Sequence, residues 1–173
     1  PFGMQVTWYG RPLGSEFASP HSPKDISQYH LSNEFIFELD ASSTLEISLT
    51  NSMHSNDHKR PDIIDSRFLN AINGQGGSSG NELWNIFDSQ ELSIDLINYV
   101  SGFEKSKKEA SLDVLDLVYT RTLDDTEFAL GLQYAEESLE IKYNEIARVE
   151  FDKDGKILKT ADLFFLGGGK NVD

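Results

Sequence analysis

The stretch NEFIFELDASSTLEISLT, residues 33–50, alternates apolar and polar residues on both sides of a short polar break. A period of two residues, interrupted by turn-forming residues, predicts a β-hairpin. We expect the hairpin to bury one face and to expose the glutamates of the other. The residues that share the buried face are Phe35, Phe37, Leu39, Leu45, Ile47 and Leu49.

The second half of the chain repeats this period. Phe128, Leu130, Leu132 and Tyr134 alternate with polar or small residues, which predicts another strand in a meander of four or five strands that begins near Leu112. Further on, the pair Asp154-Gly155 predicts a two-residue turn whose register places Glu150 opposite Lys159. A short alternating run at residues 4–8 predicts one more strand, followed by a long loop.

Two segments between these runs have helical spacing instead. Pro61 predicts the start of a helix that Gly74 ends. Ser89 is a candidate N-cap for a second helix that extends to Phe103. The lysines at positions 105, 107 and 108 favour the end of that helix.

These elements predict an α+β fold of the antiparallel type, a curved sheet or partial barrel with about two helices inserted between an N-terminal hairpin and a C-terminal meander. A chain of 173 residues fits a single domain that spans residues 1–173. The glycine-rich segment 73–80 predicts a flexible loop, and residues 167–173 predict a mobile tail.

The charge of the chain is strongly unbalanced, with 29 acidic against 15 basic residues and a formal net charge of -14. Residues 109–140 hold nine acids and Arg121 as their only base. Such a surface repels phosphate backbones and anionic lipids and attracts cationic proteins, so it argues against nucleic-acid and membrane binding. The alternative is that the charge only keeps the protein soluble. The predicted partner-binding residues are Asp113, Asp116, Asp124, Asp125, Glu127, Glu136, Glu137 and Glu140.

The absence of cysteine excludes disulfides and thiolate chemistry. It fits a reducing cytoplasm, which is the expected location, although exported proteins also lack cysteine. No apolar run approaches the roughly 20 residues that span a bilayer as a helix. No cofactor is predicted.

Three motifs suggest chemistry, and each has a simpler explanation. Residues 76–80 match G-x-S-x-G, but no histidine follows them, so a loop is favoured over a nucleophile. His54 and His58 have the spacing of two helical metal ligands, with Asp57 as a further candidate, yet a solvated loop is the stronger prediction. Asp116 lies among apolar residues, so a buried carboxylate with a paired or functional role is one alternative there.

The stretch from Glu150 to Ile157 resembles the first half of a calcium-binding EF-hand loop, but the twelfth position is Ala161 instead of a bidentate glutamate. Its part FDKDGKI, residues 151–157, also resembles the final turn of nuclear transport factor 2-like domains. That resemblance implies a cone-like α+β fold that binds a small molecule. A plain hairpin turn is favoured over both.

Three functions follow from these observations. The first is a non-enzymatic acidic binding protein, of the inhibitor or toxin-neutralising type, that meets a basic protein partner through an acidic sheet face. The second is a structural subunit that self-assembles into a ring or tube through its sheet edges, which leaves homo-oligomers open. The third is a small-molecule-binding cone-like domain or enzyme.

Overall fold

The structure is a computed structural model that describes residues 21–86 and 92–172. The strand predicted at residues 4–8 and the predicted N-cap Ser89 lie outside these ranges. The elements in chain order are β1 (Lys24–Asp40), β2 (Ser43–Ile63), α1 (Asp65–Ile72), α2 (Ile94–Val100), β3 (Ser101–Leu123), β4 (Thr126–Tyr143), β5 (Glu150–Phe151) and β6 (Ile157–Lys159).

The first four strands form one sheet in the order β1-β2-β3-β4. Ala41 and Ser42 connect β1 to β2, where the predicted polar break lies, and Asp40 Oδ1 accepts hydrogen bonds from the backbone N–H (2.8 Å) and hydroxyl (2.9 Å) of Ser42. Asp124 and Asp125 connect β3 to β4, and Asp124 takes a positive φ of 53° that aspartate tolerates. The prediction of a mostly antiparallel sheet with about two helices is confirmed, and the four-stranded sheet is not closed into a barrel.

The helices are shorter than the sequence predicts. Pro61 lies near the end of β2 and does not open α1. Helix α2 starts at Ile94, capped by the side chain of Ser93, and it ends at Val100, so Phe103 and the lysines that follow belong to β3. Strand pairing between β2 and β3 therefore prevails over the local helical spacing, as tertiary context commonly does.

The described residues form two compact units, and the prediction of a single domain stays a prediction. Unit 1 groups the described parts of Pro1–Pro23, His58–Lys105 and Tyr143–Lys170. Unit 2 groups Lys24–Asp57, Ser106–Lys142 and the C-terminal residues from Asn171. Strands β2 and β3 contribute residues to both units.

Unit 1 contains both helices and a hydrophobic core. The rings of Phe68 and Trp84 meet edge to face with centroids 5.4 Å apart, which is a favoured aromatic geometry. The segment predicted as a loop, residues 73–80, is tied to this core by a backbone bridge between Gly76 and Glu82. The core residues are Ile63, Phe68, Ala71, Trp84, Leu96 and Val100.

The C-terminal part of unit 1 confirms the predicted hairpin. Glu150 pairs with Lys159 across β5 and β6, and Gly155 turns the chain with a φ of 81°. The turn satisfies its own backbone, because Asp152 Oδ1 accepts hydrogen bonds from the N–H groups of Asp154 and Lys156. Strands flank this turn on both sides, so the segment is a hairpin and lacks the two helices of an EF-hand.

Unit 2 has a different construction. Its described residues belong to the strands β1 to β4, to their two turns and to the C-terminal segment around Val172. Neither helix contributes a residue to it. Unit 2 is therefore a sheet that has no second layer of its own.

Candidate functional site

Side-chain hydrogen bonds fix the register of the sheet in unit 2. Ser32 lies opposite Thr50 between β1 and β2 (3.1 Å), and Ser111 lies opposite Ser138 between β3 and β4 (2.8 Å). Between β2 and β3, Ser42 accepts the backbone hydrogen bond of Thr122 (2.8 Å). Because directly opposite residues share a face and neighbours alternate, these contacts assign every side chain of the sheet to one of two faces.

One face, called here the apolar face, carries the odd-numbered residues of β1 to β3 and the even-numbered residues of β4. It contains the alternating apolar residues of the hairpin 33–50 and of residues 128–134, together with apolar residues of β3, which lies between β2 and β4. Its large apolar residues are Tyr29, Leu31, Phe35, Phe37, Leu39, Leu45, Ile47, Leu49, Leu115, Leu117, Tyr119, Phe128, Leu130, Leu132 and Tyr134.

The apolar face is exposed, which corrects the expectation of a buried hairpin face. Phe37 and Phe128 are 47% and 55% exposed, and Leu130 is 72% exposed. All residues of β1 are exposed. The reason is that unit 2 holds no second layer to cover this face. An apolar surface of this extent normally marks an interaction site.

The opposite face, called here the polar face, carries the even-numbered residues of β1 to β3 and the odd-numbered residues of β4. Serine, threonine, glutamine, alanine and acidic residues form most of it. The aliphatic residues on this face are Ile26, Ile36, Leu112, Val114, Val118, Leu139 and Ile141. His30 Nδ1 bonds the hydroxyl of Ser52 on this face (2.7 Å). The sheet is thus amphipathic, and exposing its apolar face to water is unfavourable in free energy.

Among the strands that the structure describes, β1 and β4 are the two edges of the sheet. They have matched lengths of 17 and 18 residues. The described C-terminal residues pair with β4 at one position, where Ile141 and Val172 exchange both backbone hydrogen bonds. Open edges of this length present rows of backbone N–H and C=O groups that can pair with another strand.

The predicted partner-binding acids do not share one face. Asp113, Glu136 and Glu140 lie on the apolar face, Asp113 in the middle of β3 and Glu140 near the end of β4. Asp116, Glu127 and Glu137 lie on the polar face, and Asp124 and Asp125 form the turn. The sheet therefore distributes the predicted residues over both faces and one end.

Several of these carboxylates have partners within the sheet. Asp116, which the sequence offered as a buried carboxylate, is half-buried and accepts a hydrogen bond from Gln133 Nε2 (2.7 Å). Asp113 accepts a hydrogen bond from Asn51, and Glu140 forms an ion pair with Lys142. These contacts give the three acids a structural role in register and local charge balance.

A small charge cluster surrounds Lys107 of β3. Its ammonium lies 2.8 Å from Glu109 Oε1. The hydrogen bond to Glu109 raises the pKa of Lys107, and the charges of Glu109, Asp57 and Glu140 act in the same direction. The same hydrogen bond lowers the pKa of Glu109. At neutral pH the cluster is charged and keeps an excess of negative charge.

The weak metal candidates lie on a strand. His54, Asp57 and His58 all belong to β2. In a strand, residues four apart are separated by about 13 Å, so the two histidines do not meet at one ion as they would on a helix. His58 instead bonds the hydroxyl of Ser22 (2.8 Å). Within residues 21–86 and 92–172, no group of three or more His, Cys, Asp or Glu side chains is arranged to hold a metal.

The G-x-S-x-G segment also has a structural explanation. The N–H and hydroxyl of Ser78 donate hydrogen bonds to Asp95 Oδ2 at 2.7 and 2.9 Å. A side chain at Gly77, where φ is +73°, would collide with Glu82 and Asp95. The glycine and serine therefore tie this segment to the start of α2, and Ser78 has an acid as partner instead of a base.

The sequence patterns missed the first half of β1 as part of this surface. Residues 24–32 belong to β1, and Tyr29 and Leu31 extend the apolar face beyond Asn33. The signal was present, because both residues continue the odd-numbered pattern of Phe35 and Phe37.

No protein-family model matches the sequence, and a search of curated proteins found no significant match. None of the described helices is long and apolar enough to cross a membrane.

Proposed function

We propose that this chain is a structural subunit that self-assembles through the four-stranded sheet of unit 2. The observation that carries the proposal is the combination of two long open edges with an exposed apolar face in the same sheet. Each large apolar side chain of this face that becomes buried contributes about 1.5–3 kcal/mol. Assembly of several copies provides such burial and hydrogen-bonds the edges.

The edge strands lack the features by which proteins usually prevent such pairing. Neither β1 nor β4 contains proline, and their lysines, Lys24 and Lys142, lie at the ends of the strands. Proline, central lysines and short length are the common protections of an exposed edge. The strands are also long, so the protection by short length is missing as well.

Negative charge opposes the assembly. The segments 24–57 and 106–142 together contain fifteen acids and five bases. Repulsion between copies is screened at physiological ionic strength, where the Debye length is about 8 Å. We therefore expect larger assemblies as salt is raised at a fixed protein concentration.

Sedimentation velocity and native mass spectrometry of the purified chain test this proposal. We expect a defined oligomer at near-physiological salt, and we expect Leu130→Glu to shift it to monomers. The matched control is Leu158→Glu in β6, a leucine of unit 1 with similar exposure (67% against 72%). This control should leave the oligomer unchanged. A wild-type chain that stays monomeric at all concentrations and salt levels would contradict the proposal.

A second candidate is the acidic binding protein that engages a basic protein partner. The charge of unit 2 favours it, because a surface of this sign speeds encounters with cationic proteins. Native mass spectrometry of the protein isolated from its own source distinguishes the two: a monomer that carries a basic protein supports this candidate, and a homo-oligomer supports the first. Its association rate should fall steeply with salt.

The small-molecule alternative stays a prediction. The turn that suggested it, residues 151–157, is the hairpin of β5 and β6 in unit 1. A small added mass on the native protein would be the observation in its favour.

A further inference from the structure

We propose that the copies join head to tail, with β4 of one copy pairing antiparallel to β1 of the next, and that the chain of copies closes into a ring. This inference rests on the proposed function and specifies its interface. The partner is thus a second copy of the same sheet. The main contact is hydrogen bonding between the two backbone edges, and side-chain contacts add to it.

Strand direction is the first argument. The strands alternate in direction across the order β1-β2-β3-β4, so β1 and β4 run in opposite directions. If a second copy is rotated about an axis parallel to the strands, each of its strands still runs in the same direction as in the first copy. Its β1 therefore meets β4 of the first copy in antiparallel direction, and the alternation continues without interruption. A heterologous contact of this kind forms rings when the rotation closes.

The backbone groups of the two edges provide the second argument. The bond between Lys59 N–H and the carbonyl of Pro23 (3.1 Å) sets the parity at the start of β1: odd-numbered residues direct their polar groups to β2, and even-numbered ones direct them outward. At β4, the outward bonds of Ile141 show that odd-numbered residues face the open side. Both outward sets have their side chains on the polar face. Pairing them keeps each face continuous across the contact. The pairing extends from Asp40 as far as residue 28, because Ile141, which would lie opposite Ile26, already bonds Val172.

The side chains along the two edges also match. Asp40, Ser42, Thr122 and Glu127 lie on one line across the sheet, as the hydrogen-bond register shows. Extension of this line into the next copy, without stagger, places residue 40 opposite residue 127. The resulting contacts on the apolar face are Phe35 with Leu132, Phe37 with Leu130 and Leu39 with Phe128.

On the polar face the same register brings one pair of like charges together, Asp40 with Glu127 beside the turns, where Asp40 is already hydrogen-bonded to Ser42. His30 of one copy comes opposite Glu137 of the other, a pair of opposite charge when the histidine is protonated. The competing contact between two β4 strands, in a register centred on Leu132, would bring two such pairs of like charge together, because Glu127 of each copy would lie opposite Glu137 of the other. Like charges directly opposite each other destabilise a sheet. That contact would also leave both β1 edges unpaired.

Disulfide trapping tests the inference, because the chain has no cysteine of its own. Asn33 of β1 and Tyr134 of β4 face each other in the proposed register as a non-hydrogen-bonded pair, where Cα atoms are about 4.5 Å apart and a disulfide fits. Within one chain, these residues are three strand spacings or about 14 Å apart, too far to link.

Mild oxidation of equal amounts of Asn33→Cys and Tyr134→Cys proteins should yield dimers that neither protein yields alone. The single-chain variant with both cysteines should instead give a ladder of linked copies whose last band reports the ring size. The control replaces Tyr134→Cys by Ser48→Cys on the central strand β2. We expect about tenfold less linked product from it, because its Cα lies outside disulfide range.

The outcomes separate this inference from the proposed function. One outcome is that an oligomer forms but Asn33→Cys gives no more disulfide-linked dimer with Tyr134→Cys, Leu132→Cys or Glu136→Cys than with Ser48→Cys. In that case the proposed edge contact is wrong, whereas self-assembly stands. Leu132→Cys and Glu136→Cys cover a stagger of two residues in either direction. Linked dimers from Asn33→Cys alone would show a β1-to-β1 contact and overturn the head-to-tail arrangement. If no oligomer forms, the proposed function itself fails.

Discussion

Unit 1 and unit 2 differ in how far they bury their apolar side chains. Unit 1 packs two helices around Phe68 and Trp84, whose exposed fractions are 6% and 4%. Unit 2 aligns a comparable set of aromatic and aliphatic side chains on one face of a sheet, where Phe128 and Leu130 stay more than half exposed. The difference indicates that unit 1 has a core of its own, whereas the apolar face of unit 2 is exposed; in the proposed assembly, contacts with other copies would bury it.

The largest expected difference between the units comes from truncating a phenylalanine in each. Phe68→Ala should lower the free energy of unfolding by about 3–5 kcal/mol, because it leaves a cavity in the core of unit 1. Phe128→Ala should change it by only about 0.5 kcal/mol in dilute protein, as for other surface substitutions.

Urea unfolding measures both changes: the fluorescence of Trp84 follows the core of unit 1, and far-UV circular dichroism also follows the strands of unit 2. At concentrations where the wild type is oligomeric, Phe128→Ala should weaken the oligomer while Phe68→Ala need not. A large loss of stability from Phe128→Ala in the monomer would mean that unit 2 has a core of its own.

The next largest effect concerns the ion pair of unit 1. Arg60 pairs with Glu104, whose side chain is 2% exposed and has one oxygen without a partner among the described residues. Arg60→Met should cost about 3 kcal/mol, because it leaves a buried carboxylate unpaired. The double variant Arg60→Met/Glu104→Met should recover most of this loss. Thermal unfolding of the three proteins measures it, and an equal loss in the double variant would point to packing instead of charge.

A smaller effect is expected at the start of α2. Ser93 Oγ accepts a hydrogen bond from the N–H of Leu96 (2.9 Å), which caps the helix. Ser93→Ala should cost about 1 kcal/mol in urea unfolding, and Ser93→Thr should retain most of the cap. If both variants lose the same amount, the cap is not the origin of the effect.

The smallest effect concerns acid pH. The hydrogen bonds from the backbone and side chain of Ser78 lower the pKa of Asp95 below its ordinary value of 3.8. A carboxylate whose pKa is lowered in the folded state stabilises the protein above the unfolded pKa and loses this contribution as the pH falls through the folded value. The difference in melting temperature between the wild type and Asp95→Asn should therefore narrow below pH 3.8. A constant difference down to pH 2 would contradict this assignment.

Local patterns in the sequence predict the hairpins well. The two-residue period of residues 33–50 and the hairpin around Asp154-Gly155 are both confirmed, including the pairing of Glu150 with Lys159. The connection is longer than the predicted two residues, because the register shifts and Phe151 pairs with Ile157. The reason is that alternation and turn chemistry depend on neighbouring residues alone. Helix ends are predicted less well: Pro61 and Phe103 were assigned to helices and belong to strands, because the partners that hold them are remote in sequence.

The sequence by itself determined the amphipathic strands, the place of the turns, the two helices between the hairpins and the strong negative charge. These properties follow from residue types and short-range spacing. Only the tertiary structure decided that β2 pairs with β3, that the predicted acids divide between two faces, and that the apolar face has no cover within unit 2. Pairing between remote strands depends on the register of many backbone hydrogen bonds, and no local pattern encodes which layer, if any, will cover a sheet.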